Sequence, residues 1–222
     1  VGGELKNTAT LAVGRYAHVS SHVGDMGSWD AQRHFEKMVK QLCSIQGAQP
    51  DVVVCDMHPG YQTSMWAQRY ADQRDVELIE VQHHHAHALS LLAEHQRLST
   101  PAVVAALDGT GYGTDGTIWG GEILHVTDDG NAERLWHLPP FSLVGGDKAV
   151  RNPWRIARGL AHSWQLEDLS VPPEVDLDEL RLVDSQLSSG FGTTATTSMG
   201  RLFDAFASIL QVQQSVSYEA QA

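Results

Sequence analysis

Residues 101–113 read Pro-Ala-Val-Val-Ala-Ala-Leu-Asp-Gly-Thr-Gly-Tyr-Gly, an apolar run followed by an aspartate and three alternating glycines. An apolar run of this length is typical of a buried strand, and the glycines predict a turn over residues 109–116. In open α/β sheets, ligands bind outside the carboxyl ends of the strands. We therefore expect Asp108 to end a strand at the ligand-binding edge of a sheet.

Short apolar runs alternate with amphipathic stretches on both sides of this segment. This alternation predicts an α/β domain with a parallel or mixed sheet. A tight turn is expected at Gly14, a helix start at Ser28 or Asp30, and a helix stop at Gly47. The run at 51–55 is expected to be buried on both faces. The predicted strands are 7–13, 16–20, 51–55, 76–81, 101–107 and 117–126, and the predicted helices are about 30–46, 63–74, the stretch from the histidine run to 95, and 200–210.

The composition excludes several classes of protein. The 222 residues carry a formal net charge of −12, which is a poor match for a phosphate backbone and argues against nucleic-acid binding. Two cysteines without CxxC spacing argue against a disulfide framework and favour a reducing cytoplasm, and both lie in apolar patterns typical of a core. No apolar stretch is long enough to span a membrane. The missing initial Met and the abrupt last residues lead us to expect a fragment.

A histidine cluster comes shortly before the strand that ends at Asp108. Of the 12 histidines, four lie in the run Gln82-His83-His84-His85-Ala86-His87. His83 and His87 are four residues apart, so on a helix their imidazoles share one face and can reach one metal ion. The alternative is a histidine-rich helix start with solvated or hydrogen-bonded rings. Imidazole suits iron, zinc and other late first-row ions, so the spacing leaves the metal open.

Asp108 and the glycines after it are further candidates for a site. The Asp108 carboxylate could join the two imidazoles as a third metal ligand, or it could cap the following turn. Glycines at 109 and 111 would let backbone N–H groups converge on phosphate oxygens, whereas the alternative is a glycine-rich hairpin without a ligand. The Gly-Lys-Ser/Thr ending of a Walker loop is absent.

Taken in order, these segments resemble the HypF family of hydrogenase-maturation carbamoyltransferases. The resemblance runs through nearly the whole chain and is weakest in an acidic stretch at about 170–199, which we expect to be a surface insertion. The most specific matching segments are 81–88, 108–113 and 115–122, and the others are 2–8, 56–61, 145–147, 151–155 and 200–205.

The resemblance implies an actin-like ATPase (ribonuclease H-like) superfold, of which the chain carries the first lobe and part of the second. It implies His83 and His87 as metal ligands, with Asp108 as a third ligand and catalytic residue. The implied nucleotide-binding residues are Gly109, Thr110 and Gly111 at the phosphates and Asp204 near the ribose. The implied cofactors are a divalent metal ion and ATP or carbamoyl-adenylate. The metal ion would be iron or zinc, or magnesium bound with the nucleotide.

The resemblance also implies a place in a longer protein. In this family, acylphosphatase-like, zinc-finger and YrdC-like domains precede a TsaD-like domain. The acylphosphatase-like domain handles carbamoyl phosphate, the YrdC-like domain forms carbamoyl-adenylate, and the full-length protein depends on carbamoyl phosphate and ATP. The TsaD-like domain passes the carbamoyl group to the C-terminal cysteine of HypE, from which the cyanide ligand of [NiFe]-hydrogenase is made. Residues 1–222 are expected to be an incomplete TsaD-like domain, without the upstream domains and the C-terminal part.

The sequence departs from the family pattern in two places. Ala220 stands where the family has the glycine of Tyr-Glu-Gly-Gln-Ala, and alanine disfavours a positive φ. The family's last metal ligand, in an Asn-Asp-Gly-Gly segment, does not occur in the 222 residues, so we expect weak metal binding and no complete reaction by this chain alone. Two alternatives stay open: a tRNA threonylcarbamoyl transferase, against which the histidine run, the DGTGYG segment and the acidic charge argue, and a truncated, non-catalytic nucleotide- or partner-binding module.

Overall fold

The computed structural model describes residues 1–166, 172, 175–218 and 220–222. It divides into two compact units, Val1–His83 and His84–Ala222, and the division falls at the first residue of a helix. None of the helices in the described part of the chain combines the length and apolarity needed to cross a bilayer.

The first unit contains two small sheets and two helices. A hairpin turning at Gly14 joins two antiparallel strands, and the two later strands pair in parallel. The elements are β1 (Thr10–Val13), β2 (Tyr16–Val19), α1 (Trp29–Gln46), β3 (Val52–Asp56), α2 (Gln62–Arg74) and β4 (Glu77–Val81).

Helix α1 begins and ends where its sequence predicts. The Ser28 hydroxyl accepts a hydrogen bond from the Ala31 amide at 3.1 Å, which satisfies a donor in the first helical turn. Gly47 adopts a left-handed conformation with φ 59°, and its amide closes the last turn on the carbonyls of Cys43 and Ser44. The apolar face of the helix is buried in a core with the first strand.

Strand β3 differs from its prediction, because it is not buried on both faces. Val53 and Cys55 are buried against Ala67 and Tyr70 of α2. Val52 and Val54, on the opposite face, remain 40% and 44% exposed. An apolar run gives no period-two signal, so the sequence alone did not show that only one face is covered.

The second unit is built on a five-stranded mixed sheet. Strand β6 is central: β5 pairs along one side of it, and β7 and β9 pair with different parts of the other side, with β8 beyond β9. The elements are α3 (His83–Glu94), β5 (Ala102–Tyr112), β6 (Ile118–Val126), β7 (Ala132–His137), β8 (Phe141–Val144), α4 (Asp147–Arg151), α5 (Pro153–Trp164), α6 (Leu177–Ser189), β9 (Thr193–Thr196) and α7 (Met199–Ile209).

The glycine-rich segment is part of a strand, so the predicted turn over 109–116 is wrong in its position. Strand β5 continues to Tyr112, and its pairing register with β6 shifts between Leu107 and Gly111. The actual turn follows, where the Gly113 amide donates to the Thr117 carbonyl at 2.9 Å. Here the glycines allow close backbone approach: a Cβ on Gly120 of β6 would lie 2.5 Å from the Asp108 carbonyl oxygen.

The stretch expected to be a surface insertion contributes to the sheet and to a small core. Strand β9 lies between β6 and β8, so the insertion interpretation does not hold for residues 193–196. Helix α6 buries Val183 and Leu187 against Val144 and Trp154. Residues 167–171, 173 and 174 of the predicted stretch lie outside the described residues.

Candidate metal and nucleotide site

The first turn of α3 carries the histidine run. His83 donates its Nδ1 proton to Asp56 Oδ2 at 2.7 Å, and Asp56 itself lies at the carboxyl end of β3. Asp56 also accepts a hydrogen bond from the His58 amide at 2.9 Å, which fixes the carboxylate. With Nδ1 engaged in this way, Nε2 is the ring nitrogen of His83 that can bind a metal ion.

Asp108 lies on β5 with its two carboxylate oxygens in different surroundings. Oδ1 accepts a hydrogen bond from the Gly109 amide at 2.6 Å. Oδ2 lies 4.0 Å from Nε2 of His87, whose ring is largely exposed. The two interpretations of Asp108 are therefore compatible, because one oxygen makes the local turn-like bond while the other faces an imidazole.

The structure brings three sequence-predicted residues together. His83 and His87 lie one turn apart on α3, and with Asp108 they offer ligand atoms that all lie within 4.8 Å of one another. Ligands about 2.1 Å from a tetrahedrally coordinated ion are roughly 3.4 Å apart, so modest side-chain rotations would close this set around a metal. Two imidazoles and one carboxylate form a donor set suited to zinc or iron. The residues present fit the expected metal ion.

The predicted phosphate-binding residues lie where β5 meets the start of α7. Ser198, the N-cap of α7, donates its hydroxyl proton to the Asp108 and Gly109 carbonyls, at 3.1 and 2.6 Å. A Cβ on Gly200 would lie 2.9 Å from the Gly109 Cα, so only glycine permits this approach. Thr110 is exposed and Gly111 is buried. The roles of Gly109, Thr110 and Gly111 toward a nucleotide stay predictions.

Asp204, expected near the ribose, is buried on α7. Its carboxylate pairs with Arg201 at 2.6 Å, one turn earlier on the helix. Burial raises the pKa of Asp204, and the Arg201 guanidinium opposes that rise. In this state the carboxylate is engaged within the protein, and its role toward a ribose stays a prediction.

Two residues near the cluster were not singled out from the sequence. His84 and Glu122 are fully buried, and His84 contacts the carboxylates of both Asp108 and Glu122. The alternating pattern of β6 could have pointed to Glu122. It lies on the same strand face as the buried Leu124 and Val126. A carboxylate in such a series marks a buried polar position that needs partners.

The two cysteines lie in the core, as the sequence predicts. Cys43 and Cys55 are both buried and unbonded. Burial raises the pKa of each thiol, which disfavours the reactive thiolate.

Two family models together match nearly the whole chain. Residues 1–94 match the model described as the HypF Kae1-like domain. Residues 104–222 match the model described as the second subdomain of a carbamoyltransferase Kae1-like domain.

Individual proteins give the same result. The chain is 35% identical to the carbamoyltransferase HypF of Synechocystis sp. and 38% identical to HypF2 of Cupriavidus necator, and in each case the whole chain is aligned. It spans only 30% and 27% of the length of those proteins. A crystal structure of full-length HypF in a phosphate- and nucleotide-bound form superposes with a TM-score of 0.88 at 37% identity, covering 99% of this chain and 34% of that one. The HypF of T. kodakarensis also superposes with a TM-score of 0.88, at 31% identity, over 100% of this chain and 31% of that one.

Proposed function

Because the chain belongs to the HypF carbamoyltransferase family and has its Kae1-like fold, we propose that it forms part of the site that transfers a carbamoyl group from carbamoyl-adenylate to the C-terminal cysteine of HypE. In this step the thiolate sulfur bonds to the carbamoyl carbon while the bond from that carbon to the adenylate oxygen breaks. AMP leaves as an anion. The nucleophile comes from the partner, so no thiolate of this chain is needed.

The observation that carries the proposal is the cluster of His83, His87 and Asp108. A divalent ion bound there would supply Lewis acidity toward a carbamoyl carbonyl or an adenylate phosphate. The protein's own part is to orient the ligands. Asp56 sets the tautomer of His83, and the Gly109 amide holds one oxygen of Asp108.

Family membership favours carbamoyl transfer over the alternatives. Transfer to tRNA and a non-catalytic binding role are each possible on a related fold, but no contact among the described residues favours either. The hydrogenase context, the partner HypE and the nucleotide remain parts of the proposal.

Replacing both candidate imidazoles tests the metal role. In His83→Ala/His87→Ala we expect Zn²⁺ affinity to fall by about 100-fold or more, because two of three ligands are lost. Affinity is measured by competition with a chromophoric chelator, and carbamoyl transfer is measured in the complete reading frame that carries this segment, with carbamoyl phosphate, ATP and HypE.

The control is His85→Ala, in the same helical turn. His85 Nε2 contacts the Gly130 carbonyl at 2.7 Å and is not part of the cluster. Thermal unfolding of each metal-free variant checks the fold. Transfer activity that survives in the folded double variant would refute the metal role.

A further inference from the structure

A fully buried imidazole lies directly behind the candidate metal ligand Asp108. His84 is on α3 and Glu122 is on β6, and neither side chain is exposed. His84 Nε2 lies 3.3 Å from Asp108 Oδ2, and His84 Nδ1 lies 3.4 Å from Glu122 Oε2. The imidazole therefore lies between two carboxylates: it is within hydrogen-bond distance of the partly exposed Asp108, and within ion-pair range of the buried Glu122, although that second pair is not aligned as a hydrogen bond.

Glu122 is held in place from several elements. Its Oε1 accepts a hydrogen bond from the Thr197 hydroxyl, just before α7, and lies 3.5 Å from the guanidinium of Arg134 on β7. Arg134 in turn pairs with Asp115 at 2.9 Å and lies over the Trp119 ring at 4.0 Å. A buried carboxylate is costly unless it is paired, so these partners make Glu122 a fixed support.

The contact with Asp108 is specific to one oxygen. His84 approaches Oδ2, the same oxygen that faces His87, whereas Oδ1 is held by the Gly109 amide. A carboxylate bonded through both oxygens cannot rotate about its Cβ–Cγ bond without losing a contact. The position of Oδ2 therefore depends on His84, whose other ring nitrogen contacts Glu122.

We propose that His84, supported by Glu122, is a positioning residue that fixes the Asp108 oxygen completing the cluster with His83 and His87. The proposal rests on the metal role proposed above. Residues that orient metal ligands from behind typically change metal affinity by about 10- to 100-fold when they are replaced.

Two amide substitutions separate the two ring nitrogens of His84. In His84→Gln the side-chain N–H can occupy the place of Nε2 and still donate to Asp108. In His84→Asn the N–H lies near the place of Nδ1 and does not reach Asp108. We expect His84→Gln to keep Zn²⁺ affinity within a few-fold of wild type, and His84→Asn and His84→Ala to lose about 10- to 100-fold.

A spectroscopic measurement distinguishes positioning from general loss of structure. The visible d–d bands of bound Co²⁺ report the geometry of its ligands, so we expect them to change in His84→Asn and to persist in His84→Gln. Glu122→Gln keeps the side-chain size but removes the charge, and it should weaken Zn²⁺ binding in the same direction as His84→Asn. His85→Ala is the control, and unfolding of each metal-free variant checks the fold.

The outcomes are distinct. Wild-type Zn²⁺ affinity and an unchanged Co²⁺ spectrum in folded His84→Ala would overturn the positioning role, while loss of binding in His83→Ala/His87→Ala would leave the metal site standing. An equal loss in folded His84→Gln and His84→Asn would also overturn it. These affinities are measured in the complete protein that carries this segment. If that protein binds no Zn²⁺, or its His83/His87 double variant binds it equally well, the metal part of the proposed function fails, and the positioning role fails with it.

Discussion

Asp115 organises the turn between β5 and β6 through one carboxylate. Its Oδ1 accepts hydrogen bonds from the amide and hydroxyl of Thr117 and from the indole N–H of Trp119, and its Oδ2 pairs with Arg134. Burial alone would raise the pKa of Asp115, but these hydrogen bonds and the Arg134 charge lower it to about 2. Asp115 is thus connected, through Arg134, to the buried Glu122.

Replacing this carboxylate should have a pH-dependent effect on stability. A lowered pKa stabilises the folded state above the unfolded pKa of about 3.8, and this contribution is lost as the pH falls toward 2. Because the side chain is 45% exposed, solvent screening leaves about 1 kcal/mol. We expect Asp115→Asn to lower the free energy of unfolding in urea at pH 6 by that amount, and the difference to shrink below pH 4.

Asp178→Asn is the matched control, since its ion pair with Arg181 is largely exposed to solvent. It should change the free energy of unfolding by no more than about 0.5 kcal/mol at pH 6, because Asp178 makes only an exposed ion pair and a first-turn helix contact. A difference between wild type and Asp115→Asn that stays constant from pH 6 to pH 2 would contradict the assigned pKa.

Ala220 occupies a backbone conformation that suits glycine. Its φ is 58°, so the departure from the family's glycine places an alanine in the left-handed region. We expect Ala220→Gly to stabilise the structure around it by about 0.5–1 kcal/mol, measured by hydrogen exchange of the neighbouring amides. The reverse change, Gly190→Ala at φ 73° in open space, should cost a similar amount. A destabilising Ala220→Gly would contradict this reasoning.

The sequence singled out individual candidate residues where a local rule applied. His83 and His87 follow from helical spacing. Asp108 was singled out as the end of a strand, but β5 continues to Tyr112, so that reason for choosing it was wrong. His84 and Glu122 did not follow, because their contact joins a helix and a strand that are distant along the chain. The pairing of Asp204 with Arg201 was also missed, although both lie on one helix, because burial of that face depends on the packing around it.

At the scale of elements, α5 and β8 approach so closely that one position admits only glycine. A Cβ on Gly159 would lie 1.8 Å from the Ser142 carbonyl oxygen. The same interface contains Phe141, Leu143, Ile156 and Leu160 of the main core of this unit. The glycine therefore sets the distance between helix and sheet.

Gly159→Ala should be strongly destabilising despite the higher helix propensity of alanine. The propensity gain is about 1 kcal/mol, whereas moving the helix away from the strand costs roughly 3 kcal/mol or more. Urea unfolding followed by circular dichroism gives the difference. His162→Ala, on the exposed side of the same helix, is the control and should be neutral within about 0.5 kcal/mol. Unchanged stability in Gly159→Ala would show that α5 and β8 can move apart at little cost, and would contradict the prediction.

The elements from β1 to β6 were largely predictable, but the strands β7, β8 and β9 and the helices α4 and α5 were not. The helices α1 and α2 match their predictions within a residue or so, although only α1 has a side-chain N-cap and a strongly amphipathic pattern. β5 extends beyond its prediction, because cross-strand pairing overrides the turn tendency of its glycines. β9, with the sequence Thr-Thr-Ala-Thr, carries no alternating pattern, and its place in the sheet is decided by its neighbours.

At the scale of the whole molecule, charge decides between kinds of partner. The formal net charge is −12 at pH 7 with neutral histidines. We expect binding to unmodified tRNA to be weaker than about 100 μM at physiological salt, because repulsion opposes backbone contacts. Fluorescence anisotropy with labelled tRNA measures this, with the same titration at low salt as the reference. Micromolar binding that weakens steeply with salt would contradict this expectation and support the alternative function, transfer to tRNA.

The backbone at Asp108 is anchored by Ser198, a residue 90 positions later in the chain. This separation has a consequence for the order of events during synthesis. At roughly 5–20 residues per second, the ribosome adds Ser198 about 5–20 s after Asp108. During that interval the nascent chain already carries both imidazoles and the carboxylate, but it lacks the hydroxyl that holds the strand carbonyls. We therefore expect the arrangement proposed for metal binding to be complete only after Ser198 has been translated.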